Sequence, residues 1–371
     1  MLLYIHVPFC RSKCYYCSFY SVPFDEDLVD AYIKALTKEI RYRAQNFATK
    51  KINTIYFGGG TPSLLKLNQI EIILNEISKN FSLNSALEFS FEGNPSSLKD
   101  LIFLKGLKSL GVNRISIGVQ SLRDSYLKFL GRIHTVKDAI FSIKLSKLAG
   151  FDNINIDLIW GLPNQTPISW LEDLKQVTQF EITHVSCYEL TIEENTPMYQ
   201  MLKDKKFKLP DEKKLSAIYL YGADYLESQG LLQYEISNFA KLGYCCLHNL
   251  GYWEQMDYLG LGPSAVSTIG NLRWKNTHDI KMYCKNPLTC NKTTLSKQDK
   301  LKEFVMLRLR TCRGLNLKEY SKISGENFWQ KNYSYINLLH KKNLIRIRNG
   351  YLSLTKRGFL VSNAIIERLF P

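Results

Sequence analysis

Three cysteines, Cys10, Cys14 and Cys17, stand in the spacing C-x3-C-x2-C within the segment PFCRSKCYYCSFY. Three thiols cannot pair evenly into disulfides. A zinc site takes four ligands, often as two C-x2-C pairs, and no second pair stands nearby. His6 is a candidate fourth ligand, but Pro8 stiffens the backbone between it and Cys10. A [4Fe–4S] cluster takes one thiolate per iron, so three cysteines leave one iron open to a chelating molecule. The aromatics around the triplet (Phe9, Tyr15, Tyr16, Phe19 and Tyr20) can shield such a cluster and stack on a ligand ring, or pack as ordinary core. The other six cysteines, Cys187, Cys245, Cys246, Cys284, Cys290 and Cys312, read as small buried hydrophobes.

The elements that must hold this triplet follow a regular plan. Six short apolar or β-branched runs recur: LLYIHVPF, INTIYFGGG, ALEFSFEGNP, NRISIGVQS, NINIDLIWGLP and HVSCYELTIE. Longer stretches of helical period separate them. DEDLVDAYIKALTKEIRYRA places Leu28, Tyr32, Leu36 and Ile40 four apart, and SSLKDLIFLKGLKSLG is opened by two serines and closed by Gly111. Strands alternating with helices predict an α/β fold with a parallel sheet and right-handed crossovers, curled into a partial (βα)6 barrel. The polar groups fall at the strand ends: the cysteines after the first, Gly58 to Pro62 after the second, Glu92 and Asn94 at the third, Gln120 at the fourth, Asp157 late in the fifth, Glu189 and Thr191 at the sixth. Carboxyl ends of parallel barrel strands converge on one mouth, where sites are built.

The spacing C-x3-C-x2-C, an aromatic before the third cysteine and six strand units resemble the radical S-adenosylmethionine superfamily. YIHVPFC, GGGTPS, EGNP, RISIGVQS, NIDLIWGLP and YEISNFA resemble, within it, the coproporphyrinogen-dehydrogenase branch that also contains the HemW-type haem chaperones. The resemblance covers essentially the whole chain. It implies a [4Fe–4S] cluster on Cys10, Cys14 and Cys17, and S-adenosylmethionine contacts from Tyr4, Tyr16, Gly59, Gly60, Thr61, Glu92, Gln120, Arg132 and Asp157. The residue types suit those roles. Glu92 can pair with the ammonium, Asp157 can accept from ribose hydroxyls, and Arg132 can hold a carboxylate in a two-pronged fork.

Two departures separate this chain from the decarboxylating relatives. Phe19 stands where they carry an additional cysteine, and only nine residues precede Cys10. HNLGYW, residues 248 to 253, resembles instead the HNxxYW signature of the haem chaperones. That resemblance implies haem binding by His248, Asn249, Tyr252 and Trp253. A neutral imidazole can ligate haem iron, and the aromatics offer flat faces to a porphyrin. A buried histidine beside core aromatics is the alternative.

The implied partners are haem, apo-haemoproteins such as respiratory enzymes, haem or electron donors at a membrane surface or of bacterioferritin type, and a second copy of the chain in a homodimer. Oxygen-independent coproporphyrinogen III dehydrogenation is the competing expectation. Nucleic-acid modification, suggested by the net charge of +15 and the wing-like end, comes third, because no recognition motif supports it. No apolar run is long enough to span a bilayer and no export signal is evident, so a cytoplasmic protein is expected, peripheral at the membrane at most. Residues 1–205 are expected to form the barrel. Residues 206–290 form a smaller mixed α/β region with one long helix in FKLPDEKKLSAIYLYGADYLESQG. Residues 291–371 form a winged-helix-like end whose hairpin turns at Asn349-Gly350.

Overall fold

The computed structural model describes residues 1–47 and 50–370. Six strands run parallel: β1 (Leu2–Val7), β2 (Ile52–Gly59), β3 (Leu83–Gly93), β4 (Arg114–Gln120), β5 (Asn153–Trp160) and β6 (His184–Glu189). Their sequences alternate with the pleat. In β4, Ile115, Ile117 and Val119 are fully buried in the apolar core, while Arg114, Ser116, Gly118 and Gln120 line a central cavity. The helices that cover the apolar face include α1 (Glu26–Phe47), which buries Val29, Tyr32, Ile33, Leu36 and Ile40, and α2 (Leu67–Asn80), which buries Ile70, Ile73 and Ile77.

One helix starts later than its serines suggest. Ser96 and Ser97 lie in a short 3-10 turn, Pro95–Ser97, whose cap is Asn94. Helix α3 (Leu101–Ser109) begins beyond Asp100, whose carboxylate accepts from the Ile102 amide at 2.8 Å. The Asp100 side chain takes the capping role that the serines were expected to play.

The six strands are the middle of one twelve-stranded sheet. Residues beyond 230 add β7 (Leu232–Gln233), β8 (Asn238–Ala240), β9 (Tyr258–Leu261), β10 (Val266–Ile269), β11 (Leu272–Asn276) and β12 (Cys290–Thr294). The order is β12-β11-β10-β9-β1-β2-β3-β4-β5-β6-β8-β7, a mixed sheet that curls without closing on itself. Strand β9 pairs in parallel with β1, Leu2 facing Tyr258 and Ile5 facing Leu261. At the other edge β8 runs antiparallel to β6. Residues 232–294 thus extend both edges of the barrel sheet, past the boundary expected at residue 290, and α4 (Glu212–Ser228) is the long helix that precedes them.

At the C-terminal end, β13 (Leu315–Asn316), β14 (Ile345–Arg348) and β15 (Tyr351–Leu354) form a separate three-stranded sheet with short helices around it. The β14–β15 hairpin turns at Asn349 and Gly350, whose φ angles of 52° and 79° match the left-handed pair of a two-residue hairpin turn. Among the described residues no helix is long and apolar enough to cross a membrane.

Candidate functional site

The cysteine loop is pinned where β1 ends. The Gly60 amide donates to the Val7 carbonyl at 2.8 Å, the Val22 amide to Pro8 at 2.7 Å and the Phe24 amide to Cys10 at 2.9 Å. Cys10, Cys14 and Cys17 are half-buried free thiols, and all three line one cavity of 540 Å³. Thr61 Oγ1 donates to Cys10 Sγ at 3.7 Å and Arg132 Nη1 to Cys14 Sγ at 3.2 Å. Burial pushes the Cys17 thiol up. Among the described residues, no three His, Cys, Asp or Glu side chains are grouped to hold a single metal ion. A cubane needs no such convergence, because each thiolate goes to a different iron.

His6 is not the fourth ligand. Its Nε2–H donates to the Tyr20 carbonyl at 3.0 Å, leaving Nδ1 to accept from the Tyr4 hydroxyl at 3.2 Å. Burial drives its pKa down to about 4, and it does not line the cavity.

The strand ends supply the wall. Gly59 sits at φ 109°, and a β-carbon there would lie 2.6 Å from the His6 ring. A β-carbon on Gly60 would lie 2.7 Å from the Phe9 carbonyl oxygen, so the backbone is open to a ligand there only as glycine. Glu92 is held by the Tyr56 hydroxyl at 2.7 Å and the Gly59 amide at 3.3 Å. No cation pairs with it among the described residues, and burial lifts its pKa to about 7. Asp157 accepts from Ser116 at 3.0 Å and from Asn155 at 2.8 Å; burial raises it as well.

Gln120 has φ 70°, a left-handed conformation rare for a residue with a side chain, where the β4–β5 register shifts. Such strain persists where the surrounding structure enforces it, often at a site. Arg132 donates to the Gly118 carbonyl at 2.7 Å as well as to Cys14, while its buried Nε has no partner. A two-pronged grip on a carboxylate therefore requires the guanidinium to leave one of these partners. An acid that makes no ion pair, an orphaned guanidinium nitrogen and a glycine cradle fit an amino-acid nucleoside carrying ammonium, carboxylate and ribose hydroxyls. Tyr16 and Thr61 complete this end, and Glu189 and Thr191 also line it.

The floor of the cavity is α5 (Leu247–Trp253), which carries the HNLGYW hexapeptide. Glu88 of β3 holds the start of this helix, accepting from the Leu247 amide at 2.8 Å and the His248 amide at 2.9 Å. Gly251 lets the helix sit against β1, since a β-carbon there would lie 2.6 Å from Leu2. His248 is 1% exposed. Its Nδ1 lies 2.7 Å from Thr54 Oγ1 and its Nε2 3.1 Å from the Tyr252 hydroxyl. The Tyr56 ring lies 5.0 Å away, centre to centre. Burial, reinforced by the Arg114 charge, brings the His248 pKa down to about 3, so the imidazole is neutral.

His248, Asn249 and Tyr252 all face the cavity, and Trp253 does not. Burial pushes the Cys246 thiol up to about 12, and that thiol donates to Glu88 at 3.5 Å; neither it nor Cys245 lines the cavity. Every residue expected to hold the cluster, S-adenosylmethionine or haem, apart from Trp253, reaches this one space.

The structure adds residues that motif spacing did not indicate. Tyr56, Arg114, Ser116, Asn155 and Ser186 line the same cavity, and Thr54 and Glu88 position His248. The signal that could have found Arg114 and Ser116 is the alternation within NRISIGVQ, which puts them on the strand face of Gly118 and Gln120. Nothing local marks Thr54 or Glu88, whose partners lie 194 and 160 residues away.

Residues 4–177 match the radical SAM superfamily model, and residues 295–361 match that of the HemN C-terminal domain. The chain is 35% identical to the haem chaperone HemW of Lactococcus lactis, over 98% of this chain and 96% of that protein. It is 36% identical to the HemW of Escherichia coli, over 87% and 86%. Among solved structures it is similar to the coproporphyrinogen III oxidase HemN of Escherichia coli, with a TM-score of 0.84 and 26% identity, covering 100% of this chain and 90% of that one. On the strength of near-full-length identity above 30%, together with a matching superfamily model, the chain belongs to the HemW family of radical S-adenosylmethionine proteins.

Proposed function

We propose that this protein is a haem chaperone that binds haem, carries it in association with a [4Fe–4S] cluster and S-adenosylmethionine, and releases it to apo-haemoproteins such as respiratory enzymes. One observation carries the reading: the HNLGYW helix forms the floor of the cavity that the cysteines rim, with a neutral imidazole turned inward. Similarity to HemW proteins along nearly the whole chain supports it.

Cys10, Cys14 and Cys17 would hold the cluster, which when bound supplies an open iron for chelation and an electron. The chain's own residues do the rest. Glu92 receives an ammonium, Asp157 accepts from ribose hydroxyls, and Gly59 and Gly60 let the backbone approach. His248 offers Nδ1 or Nε2 to iron once Thr54 or Tyr252 gives way.

The test is titration of the anaerobically reconstituted protein with haem, followed by transfer to an apo-haemoprotein. His248→Ala is expected to weaken uptake and abolish transfer while leaving cluster content unchanged. Uptake and transfer equal to wild type would remove His248 from the proposal.

Likeness to coproporphyrinogen III oxidase favours a second reading, oxidative decarboxylation. Stoichiometric conversion of coproporphyrinogen III to protoporphyrinogen, with S-adenosylmethionine and reductant, would put that reading first.

A further inference from the structure

Strand β2 carries Thr54, Tyr56 and Gly58 on one face, two residues apart as the pleat requires. Thr54 Oγ1 lies 2.7 Å from Nδ1 of His248. Tyr56 comes next, lines the cavity and reaches both ways. Its hydroxyl donates to Glu92 Oε1 at 2.7 Å, and its ring lies 5.0 Å from the His248 imidazole, centre to centre, with the planes 31° apart. Gly58 makes room for the first contact, since a β-carbon there would lie 3.0 Å from the Tyr56 ring and 3.1 Å from the Glu92 carboxyl carbon.

The Tyr56 side chain has little freedom. Tyr4, its register partner on β1, places a ring 6.2 Å from it. Glu92 takes the hydroxyl with one carboxyl oxygen and the Gly59 amide, at 3.3 Å, with the other. These two donors fix the plane of the Glu92 carboxyl group before any ligand arrives. An ammonium then meets an acid that is already aimed, and less ordering remains to be done on binding.

His248 needs a wall once iron binds. In the ligand-free site, hydrogen bonds with Thr54 and Tyr252 fix the plane of the imidazole. Ligation at either nitrogen removes one of them. The rings packed against the imidazole then limit its rotation: Tyr56, tilted by 31°, and Tyr252, edge-on at 4.9 Å.

We infer that Tyr56 is a positioning residue shared by the two ligand ends of the cavity: its hydroxyl aims Glu92 at the ammonium of S-adenosylmethionine, and its ring holds the His248 imidazole for haem iron. The second half of this role rests on the haem reading above. One side chain thus makes two separable contacts, which substitution removes one at a time.

The anaerobically reconstituted full-length protein is titrated with S-adenosylmethionine by equilibrium dialysis and, separately, with iron protoporphyrin IX by its optical spectrum. Tyr56→Phe keeps the ring and loses the hydroxyl. It should weaken S-adenosylmethionine binding about tenfold, the scale of one hydrogen bond to a charged group. In a Glu92→Gln background the same change should add little, because the hydroxyl acts through that carboxylate. Tyr56→Leu loses both contacts. Its haem affinity should fall about fivefold, as an aromatic contact is lost, with a shifted Soret band. Tyr56→Phe should rescue both the haem affinity and the band.

Additive losses from Tyr56→Phe and Glu92→Gln overturn the hydroxyl's role, since an effect carried by the acid cannot add to the acid's removal. Equal weakening of haem by Tyr56→Phe and Tyr56→Leu overturns the ring's role, and so does an unchanged haem affinity in Tyr56→Leu. Loss of cluster iron in Tyr56→Phe marks a merely structural residue and overturns both. If wild type takes up no haem, the haem reading itself has failed, while the double-mutant comparison with Glu92 still decides the hydroxyl. Should Tyr56→Leu not fold, Tyr56→Met, which keeps apolar volume without a flat face, takes its place.

Discussion

The rim and the floor of the same cavity are both polar, yet they are built on opposite terms. At the rim, polar groups wait for partners. Among the described residues Glu92 makes no ion pair, Arg132 has an orphaned nitrogen, Gln120 sits in a strained backbone conformation, and three thiols are free. At the floor, polar groups around the HNLGYW helix are already engaged. Thr54, His248 and Tyr252 form a closed chain, and Glu88 satisfies the helix start. The rim therefore leaves polar groups open to a ligand, whereas any ligation at His248 would have to displace a hydrogen bond that already exists. Arg114 and Ser90 break this pattern: Arg114 Nε and the Ser90 hydroxyl are fully buried without hydrogen-bond partners, and of the two residues Arg114 alone lines the cavity.

The largest expected effect tests the rim. Cys14→Ala removes one of three thiols, and iron and acid-labile sulfide after anaerobic reconstitution should fall to background, with S-adenosylmethionine binding lost alongside. A full cluster complement in that variant would break the contrast at its strongest point.

Glu92→Gln comes next. Losing a buried charge partner should cost about 100-fold in S-adenosylmethionine affinity, measured by equilibrium dialysis. The same change should stabilise the ligand-free fold at alkaline pH. The folded pKa of about 7 lies above the usual 4.5, so the folded state holds an extra proton between those values and stability declines as pH rises through that window. Above pH 7 the penalty approaches about 3 kcal/mol as an upper figure, since each tenfold change in proton affinity is worth about 1.4 kcal/mol. Glutamine escapes it, and thermal unfolding at pH 8 should show a higher Tm. In wild type, nucleoside affinity should weaken about tenfold per pH unit below 7, because binding must expel that proton. A flat profile would mean that Glu92 does not meet the ammonium.

The floor is expected to respond more gently. Thr54→Val removes the hydroxyl at Nδ1 of His248, and haem affinity should fall about tenfold, the low end for losing the group that orients a ligating imidazole. Tyr252→Phe frees Nε2 instead. It should cost about 1 kcal/mol in unfolding free energy while leaving haem affinity unchanged or improved. If Tyr252→Phe weakens haem binding more than Thr54→Val, Nδ1 and Nε2 have exchanged roles.

Much of the site could be read from local pattern because strands display their residues with period two and carry their functional groups at one end. The triplet of cysteines, Gly59, Gly60, Glu92 and Gln120 lie at or near strand ends, Asp157 lies within its strand, and all of them line one space. The hairpin at Asn349-Gly350 followed from two residues that accept a left-handed backbone. Trp253 was grouped with its neighbours in the hexapeptide, but a helix turns successive residues about 100° apart, so it faces away while His248, Asn249 and Tyr252 face inward. The start of α3 was misplaced because two serines and one aspartate compete to cap it, and only the backbone path after Pro95 decides between them.

The sequence by itself determined the periodic elements, the thiol spacing and the polar strand ends, since each depends on residues within a few positions of one another. The tertiary structure decided what joins across long separations. It laid β9 beside β1 and β8 beside β6, so the later segment widens the barrel sheet at both edges. It set the HNLGYW helix across the floor, where Glu88 and Thr54 hold it. It also left Arg114 and Ser90 facing each other without partners. Pairing over such distances is governed by packing and burial summed over the whole sheet, which no short stretch of residues encodes.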